Sequence, residues 1–70
     1  MEYKGIVKWF DAKKGFGFIV SERFEEDIML HFSELKMNGF KTAKTGDRVG
    51  FDLDEDREEG LAAVNVHVLV

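Results

Sequence analysis

Apolar and polar residues alternate with a period of two along most of this chain, and no segment has the 3.6-residue period of a helix. The first alternating segment runs from Tyr3 to Phe10. Its pattern predicts a β-strand with Val7 and Trp9 on one face and with Ile6 and Phe10 on the other. The polar turn that follows predicts a reversal into a second strand.

Two more strands are predicted in the next part of the chain, Gly15 to Val20 and Asp27 to Phe32. In the second strand, Ile19 lies on the face opposite to Phe16 and Phe18. If Ile19 faces the core, the two phenylalanines point away from the core. Met29 and His31 of the third strand are expected beside these two rings.

The second half of the chain predicts a single helical turn over Ser33 to Leu35, with Ser33 as its N-cap, and then a long loop. Strand four follows Gly46, and strand five runs from Leu61 to Leu69. Alternation then predicts the inward-facing residues of one small core, which are Val7, Ile19, Ile28, Leu30, Val49, Phe51, Leu53, Val64, Val66 and Val68.

Five short strands in 70 residues, with a long connection between the third and the fourth, predict an all-β fold. We expect a five-stranded antiparallel Greek-key barrel of the OB type, in which closure hides most strand edges. A chain of this length has room for one domain, so residues 1–70 are interpreted as a single unit.

Large apolar side chains are directed at water in this interpretation. Six of the nine aromatic residues lie between Trp9 and Phe32, interspersed with Lys8, Lys13 and Lys14. Exposed apolar clusters usually mark an interaction surface, and flat rings beside cations suit single-stranded nucleic acid. Two other interpretations are open for Phe16 and Phe18: a second small core under a loop, or a dimer interface.

The net charge of −4 argues against simple nucleic-acid binding, but the charges are unevenly distributed. Residues 1–20 sum to +2 and residues 36–51 to +3, whereas residues 21–35 sum to −4 and residues 52–70 to −5. The acidic blocks are interpreted as solvated loops and not as an acidic binding face.

Catalytic, metal and cofactor sites find little support in the residue inventory. The chain has no cysteine, and its two histidines, His31 and His67, lack partners at ligand spacing. Neither serine lies in a triad-like arrangement, and Gly15 and Gly17 lie within a strand instead of opening a helix. We therefore expect no enzyme activity, no metal and no cofactor. Without an apolar run of membrane-spanning length, we expect a cytoplasmic protein with no membrane partner.

Three segments carry a resemblance to a known family: residues 5–10 (GIVKWF), 14–19 (KGFGFI) and 27–33 (DIMLHFS). They closely resemble the first strand and the paired ribonucleoprotein motifs of bacterial cold-shock proteins. Residues 38–42 (NGFKT), Gly46 and residues 65–66 extend the resemblance over nearly the whole chain. The resemblance implies an OB barrel that binds single-stranded RNA and DNA, acts as an RNA chaperone without ATP and regulates transcription and translation. Members are often acidic overall.

Position by position, the resemblance implies roles for individual side chains. The stacking rings are Trp9, Phe16, Phe18, Phe32 and Phe40, with His31 as a further ring. Lys8 and Lys14 match backbone contacts, and Asp27 matches an acid that reads base edges. Phe10 lies at the margin of this aromatic surface, and Lys41 is a further candidate cation.

The chain departs from the family pattern at four positions. Asp11 stands where Asn is usual, and Met29 replaces an aromatic residue of the second motif with a flexible thioether. Leu61 occupies a position that is often Pro. Glu59 stands where a basic residue is common, and Arg57, two positions earlier, is the candidate substitute. These departures predict weaker binding than that of a typical member.

The sequence therefore predicts a monomeric single-strand-binding protein without a small-molecule substrate. Two alternatives use the same aromatic face for a protein partner: a protein-interaction OB module, and a ribosome-associated OB domain of the translation initiation type. The second would be expected to have a more basic surface.

Overall fold

Five strands close into a barrel in the computed structural model, which describes residues 2–36, 42–57 and 59–69. The strands are β1 (Tyr3–Asp11), β2 (Phe16–Val20), β3 (Ile28–His31), β4 (Arg48–Leu53) and β5 (Leu61–Val68). Their order around the barrel is β1-β2-β3-β5-β4. Four pairings are antiparallel, and β3 pairs with β5 in parallel. The predicted five-stranded barrel is confirmed, with one parallel pairing that the prediction lacked.

The core fills the inside of this barrel with aliphatic side chains and one large ring. Its buried hydrophobic residues are Val7, Ile19, Ile28, Leu30, Leu35, Ala43, Val49, Phe51, Ala62, Ala63 and Val66. The inward positions predicted for β1, β2, β3 and the start of β4 are confirmed by this set. Leu53 is half-buried and packs against the core from its edge.

Strand β5 differs from its predicted alternation. Val64 is half-buried and Val68 is 38% exposed, whereas Ala62 and Ala63 are both buried. The cause is a break in the pleat: Asn65 has a positive φ of 52°, and the register against β4 shifts between Gly50 and Asp52. A residue inserted into a ladder changes which side chains face inward, so strict alternation assigned Val64 and Val68 to the core wrongly.

Strand β1 contains a similar irregularity, and it reverses the predicted faces of two aromatic residues. Val7 lies opposite Ile19, but Trp9 lies opposite Phe18, so Lys8 is an extra residue between them. This bulge turns Trp9 to the outer face of the barrel, away from Val7. Phe10 then lies opposite Gly17 and packs against the core. The predicted pairing of Trp9 with Val7 on one face was wrong.

The helical turn after β3 lies close to its predicted place. It is a turn of 3-10 helix over Phe32–Glu34, and its N-cap is His31 instead of Ser33. The Nδ1 atom of His31 accepts a hydrogen bond from the backbone amide of Ser33 at 3.2 Å. The cap residue is therefore one of the candidate binding residues, and the cap holds its ring in place.

Candidate nucleic-acid interface

Cross-strand rows of side chains cover the outer face of β1, β2 and β3. One row joins Trp9, Phe18 and Met29, and the next joins Phe16 and His31. These rows form because β2 is antiparallel to both of its neighbours, so directly opposed side chains project on the same face. With Phe32 they make one surface, here called the platform: Trp9, Phe16, Phe18, Met29, His31 and Phe32.

Three rings of the platform contact one another at steep angles. The Trp9 ring lies 5.6 Å from that of Phe16 and 5.3 Å from that of Phe18, and the two phenylalanine rings are 6.5 Å apart with an interplanar angle of 83°. Edge-to-face and tilted contacts of this kind hold the rings in position without stacking them on each other. Trp9 remains 39% exposed, so ring surface is available to a ligand.

Phe32 and His31 form the second part of the platform. Their ring centroids are 4.8 Å apart, and Phe32 is 44% exposed. Gly15 lies beneath Phe32: its carbonyl oxygen accepts a hydrogen bond from the Phe32 amide at 2.8 Å. A Cβ at Gly15 would approach the Phe32 ring to 2.8 Å, and Gly15 also has a positive φ of 79°. Glycine is therefore required at this position for the Phe32 ring to lie where it does.

Two ionic features flank the platform. Lys8 and Asp27, both expected to contact the ligand, form an ion pair with 2.9 Å between Nζ and Oδ2. Lys14 is exposed in the turn between β1 and β2. In that turn the Asp11 carboxylate accepts hydrogen bonds from the amides of Lys13 and Lys14, at 2.9 and 3.1 Å. Asp11 thus closes the turn through an oxygen that Asn would also supply.

Arg57 and Phe10, two of the predicted site residues, are not members of the cross-strand rows that form the platform. The Nε atom of Arg57 donates to the carbonyl oxygen of Glu59 at 3.2 Å, within the loop between β4 and β5. Phe10 is half-buried against the core. Phe40 and Lys41 lie outside the described residues.

The structure also extends the outer face in a direction that the sequence analysis left unused. Val20 lies opposite Ile6 on β1, and Ile6 lies opposite Arg48 on β4. Alternation in strand two places Val20 on the same face as Phe16 and Phe18, so the sequence pattern could have predicted that the outer face extends to Val20. The pairing of Ile6 with Arg48 required the register between β1 and β4, which alternation alone does not give.

Outside this face, the described part of the chain offers little other site chemistry. His67, predicted to face solvent, is half-exposed and pairs with Glu2, with 2.8 Å between Nε2 and Oε1. Across residues 2–36, 42–57 and 59–69, no three side chains of His, Cys, Asp or Glu cluster as metal ligands would. In the same residues, no helix has the length and apolar character needed to cross a membrane.

Comparisons with a family model and with individual proteins lead to the same family. The family model described as 'Cold-shock' DNA-binding domain matches residues 3–69. The chain is 46% identical over 69 residues to a cold shock-like protein of Aquifex aeolicus, covering 99% of this chain and 97% of that protein. It is 49% identical over 63 residues to the major cold shock protein of Streptococcus pyogenes serotype M1, covering 90% of this chain and 91% of that protein.

A solved structure titled drosophila Unr CSD456 has the same fold, with a TM-score of 0.83 and 21% identity, covering 100% of this chain and 27% of that chain. At this identity the likeness concerns the fold alone. The two bacterial relatives nevertheless cover 90% and 99% of the sequence, and the family match over residues 3–69 includes every strand of the barrel. The chain therefore belongs to the cold-shock DNA-binding domain family.

Proposed function

We propose that residues 1–70 form a single cold-shock domain that binds single-stranded RNA and DNA on the platform. One observation carries this proposal: exposed and half-exposed rings of Trp9, Phe16, Phe18 and Phe32 lie on one outer face of a closed barrel, beside Lys8 and Lys14. Every base presents a flat face that such rings can stack on, and lysine ammonium groups neutralise the phosphates.

The proposed activity is that of an RNA chaperone that needs no ATP. Each stacked base stabilises the unpaired strand by about 1 to 3 kcal/mol. Several such contacts offset the pairing free energy of a marginal stem, so binding shifts the equilibrium towards the open strand by mass action. Nothing in this mechanism requires catalysis, a metal or a cofactor. The proposed location is the cytoplasm, where RNA structure would bear on transcription and translation, and the proposed state is a monomer.

The experiment that tests this proposal uses the one tryptophan of the chain, Trp9, as a reporter within the platform. We expect oligothymidine to quench its fluorescence. Phe16→Ala or Phe18→Ala should weaken that binding by about 1 to 3 kcal/mol with little loss of stability. Val49→Ala, in the fully buried core, is the matched control: it should lower stability and leave the affinity of the folded protein unchanged.

Two results would contradict the proposal. Unfolding by Phe16→Ala, with unchanged affinity in the folded fraction, would assign the rings to a small core. Absence of quenching in the wild type would instead favour a protein partner for the platform. Chaperone activity is tested separately, by opening of a labelled RNA hairpin without ATP, which Phe16→Ala and Phe18→Ala should both impair.

A further inference from the structure

A second surface continues the outer face of β1 and β2 beyond the platform. Val20, Ile6 and Arg48 form a cross-strand row next to the row of Trp9 and Phe18. Ile6 is 47% exposed and Val20 39% exposed. Since Phe18 and Val20 are two residues apart on β2, the two rows are about 7 Å apart. An apolar strip of Val20 and Ile6 therefore lies next to the platform and ends at Arg48.

Cations line this strip. An open groove beside Ile6 and Val20 is bordered by Lys4, Arg23 and Arg48. None of these three cations forms an ion pair with a residue in 2–36, 42–57 or 59–69. Arg23 is positioned by the ring of Tyr3, whose centroid lies 5.5 Å from its guanidinium carbon. The surface formed by Lys4, Ile6, Val20, Arg23 and Arg48 is called the basic groove below.

Two acidic residues also border the groove, but they do not cancel its charge. Glu2, which lies 2.8 Å from His67, and Glu22 carry two negative charges against three cations, so one positive charge remains. A local excess of positive charge on a chain of net charge −4 is complementary to an anionic ligand.

The ion pair of Lys8 and Asp27 lies between the platform and the groove. Lys8 is on β1, and Asp27 directly precedes β3, so their contact crosses the outer side of β2. Val7 and Ile28 both lie opposite Ile19. Lys8 follows Val7 and Asp27 precedes Ile28, so the ion pair crosses β2 near Ile19. The Ile19 side chain points into the core, so at that level the ion pair, and not a side chain of β2, lies between the two surfaces.

We propose that the basic groove is a second subsite for nucleic acid, occupied by the next nucleotides of the same single strand that binds the platform. Arg23 and Arg48 would contact its phosphates, and Ile6 and Val20 its sugars and bases. This inference rests on the proposed function. A second copy of the chain fits less well, because a symmetric contact through this groove would place its cations against themselves.

The test compares oligothymidines of about six and about twelve nucleotides, lengths within the range of site sizes for OB folds. The variant is the double substitution Arg23→Gln with Arg48→Gln, and affinity is measured across a salt series. For the shorter strand, which the platform can hold alone, the variant should match the wild type. For the longer strand, affinity should fall severalfold, and the slope of log affinity against log salt should become shallower by about 1.4, which is 0.7 for each lost phosphate contact.

Lys36→Gln is the matched control, since Lys36 is an exposed cation that does not line the groove and whose backbone pairs with β5. It should leave both lengths unaffected. Equal loss at both lengths, or no loss at either, would overturn the inference. So would a wild-type dimer in sedimentation analysis that the double variant lacks, because the groove would then belong to a second copy. Failure of the wild type to bind either length would refute the proposed function itself.

Discussion

At the scale of single residues, the departures from the family pattern have different structural consequences. Asp11 closes the turn between β1 and β2, because its carboxylate accepts hydrogen bonds from the amides of Lys13 and Lys14. Met29 lies opposite Phe18, where the resemblance implies an aromatic ring, and presents a thioether there. Met29 is part of the platform, so its thioether affects contacts with the bases directly. Asp11 is not part of the platform, and it affects binding through its negative charge nearby.

Met29→Phe should tighten single-strand binding by about 1 kcal/mol, the lower end of the contribution of a stacked base. The thioether makes softer and less directional contacts with a base than a ring does. The gain should persist at high salt because stacking does not depend on counterion release. It is measured by oligothymidine affinity over a salt series, with Lys14→Ala as the comparison, which should reduce the salt slope by about 0.7. A folded Met29→Phe protein with unchanged affinity would refute the weakening assigned to this position.

Asp27→Asn should make the salt dependence of binding steeper by about 0.7 in the slope of log affinity against log salt. The ion pair with Asp27 occupies Lys8 at 2.9 Å, and removal of the carboxylate frees one cation for a phosphate. Asparagine can still form hydrogen bonds with base edges. A change in the salt slope therefore reports the ion pair of Asp27 with Lys8 and not the contact of Asp27 with a base. An unchanged slope would mean that Lys8 already leaves Asp27 when the strand binds.

At the scale of strands, the bulge in β1 and the glycine opposite it act together. The extra residue Lys8 turns Trp9 outward, and Gly17 lies opposite Phe10 just beyond the bulge. A Cβ at Gly17 would overlap the carbonyl oxygen of Trp9 and lie 2.7 Å from the Cα of Phe10. The close approach of β1 and β2 at this point thus depends on a glycine, and the position of the Trp9 ring depends on that approach.

Gly17→Ala should lower the free energy of unfolding by about 1 to 3 kcal/mol, the usual cost of overpacking, because the clash is with backbone atoms that cannot rotate away. It should also weaken oligothymidine binding by displacing Trp9. Gly46→Ala is the matched control: Gly46 has a φ of 91° with no neighbouring atom within 4 Å, so alanine there adds strain without a clash. Denaturant unfolding and titration of both variants check this. Equal binding by the two variants would contradict the link between Gly17 and the platform.

At the scale of the whole molecule, the barrel is closed, so its strands pair with each other and its core is shared by all five. A domain of 70 residues has a small core and correspondingly limited stability. Ligand binding to the folded state alone therefore contributes a large fraction of the total stability.

Oligothymidine at about 100 times its Kd should stabilise the folded protein by about 2.7 kcal/mol. For a domain of this size, each kcal/mol raises Tm by about 4 to 8 °C, so the expected shift is about 10 °C or more. A duplex of matched length offers no unpaired bases to stack on the platform and should give a much smaller shift. The check is a thermal melt with each ligand. Equal shifts with single strand and duplex would indicate binding through phosphates alone.

Local sequence was sufficient for most of the barrel and for the centre of the platform. In β2 and β3 the pleat is regular, so alternation alone directs Ile19 inward and places Phe16 and Phe18 outward beside Met29 and His31. The pleat is a property of the backbone itself and depends on no other part of the chain. The motifs in these strands also identified the family correctly.

Tertiary structure decided the features that depend on how strands meet. The bulge at Lys8 turned Trp9 outward, and the register shift beside Asn65 removed Val68 from the core and left Val64 only half-buried. A bulge arises from the fit between two paired strands, so it cannot be derived from the alternation of either strand alone. The same holds for the contact of Lys8 with Asp27, which crosses a strand lying between them. Sequence determined which faces are apolar, and the registers between distant strands decided which side chains share them.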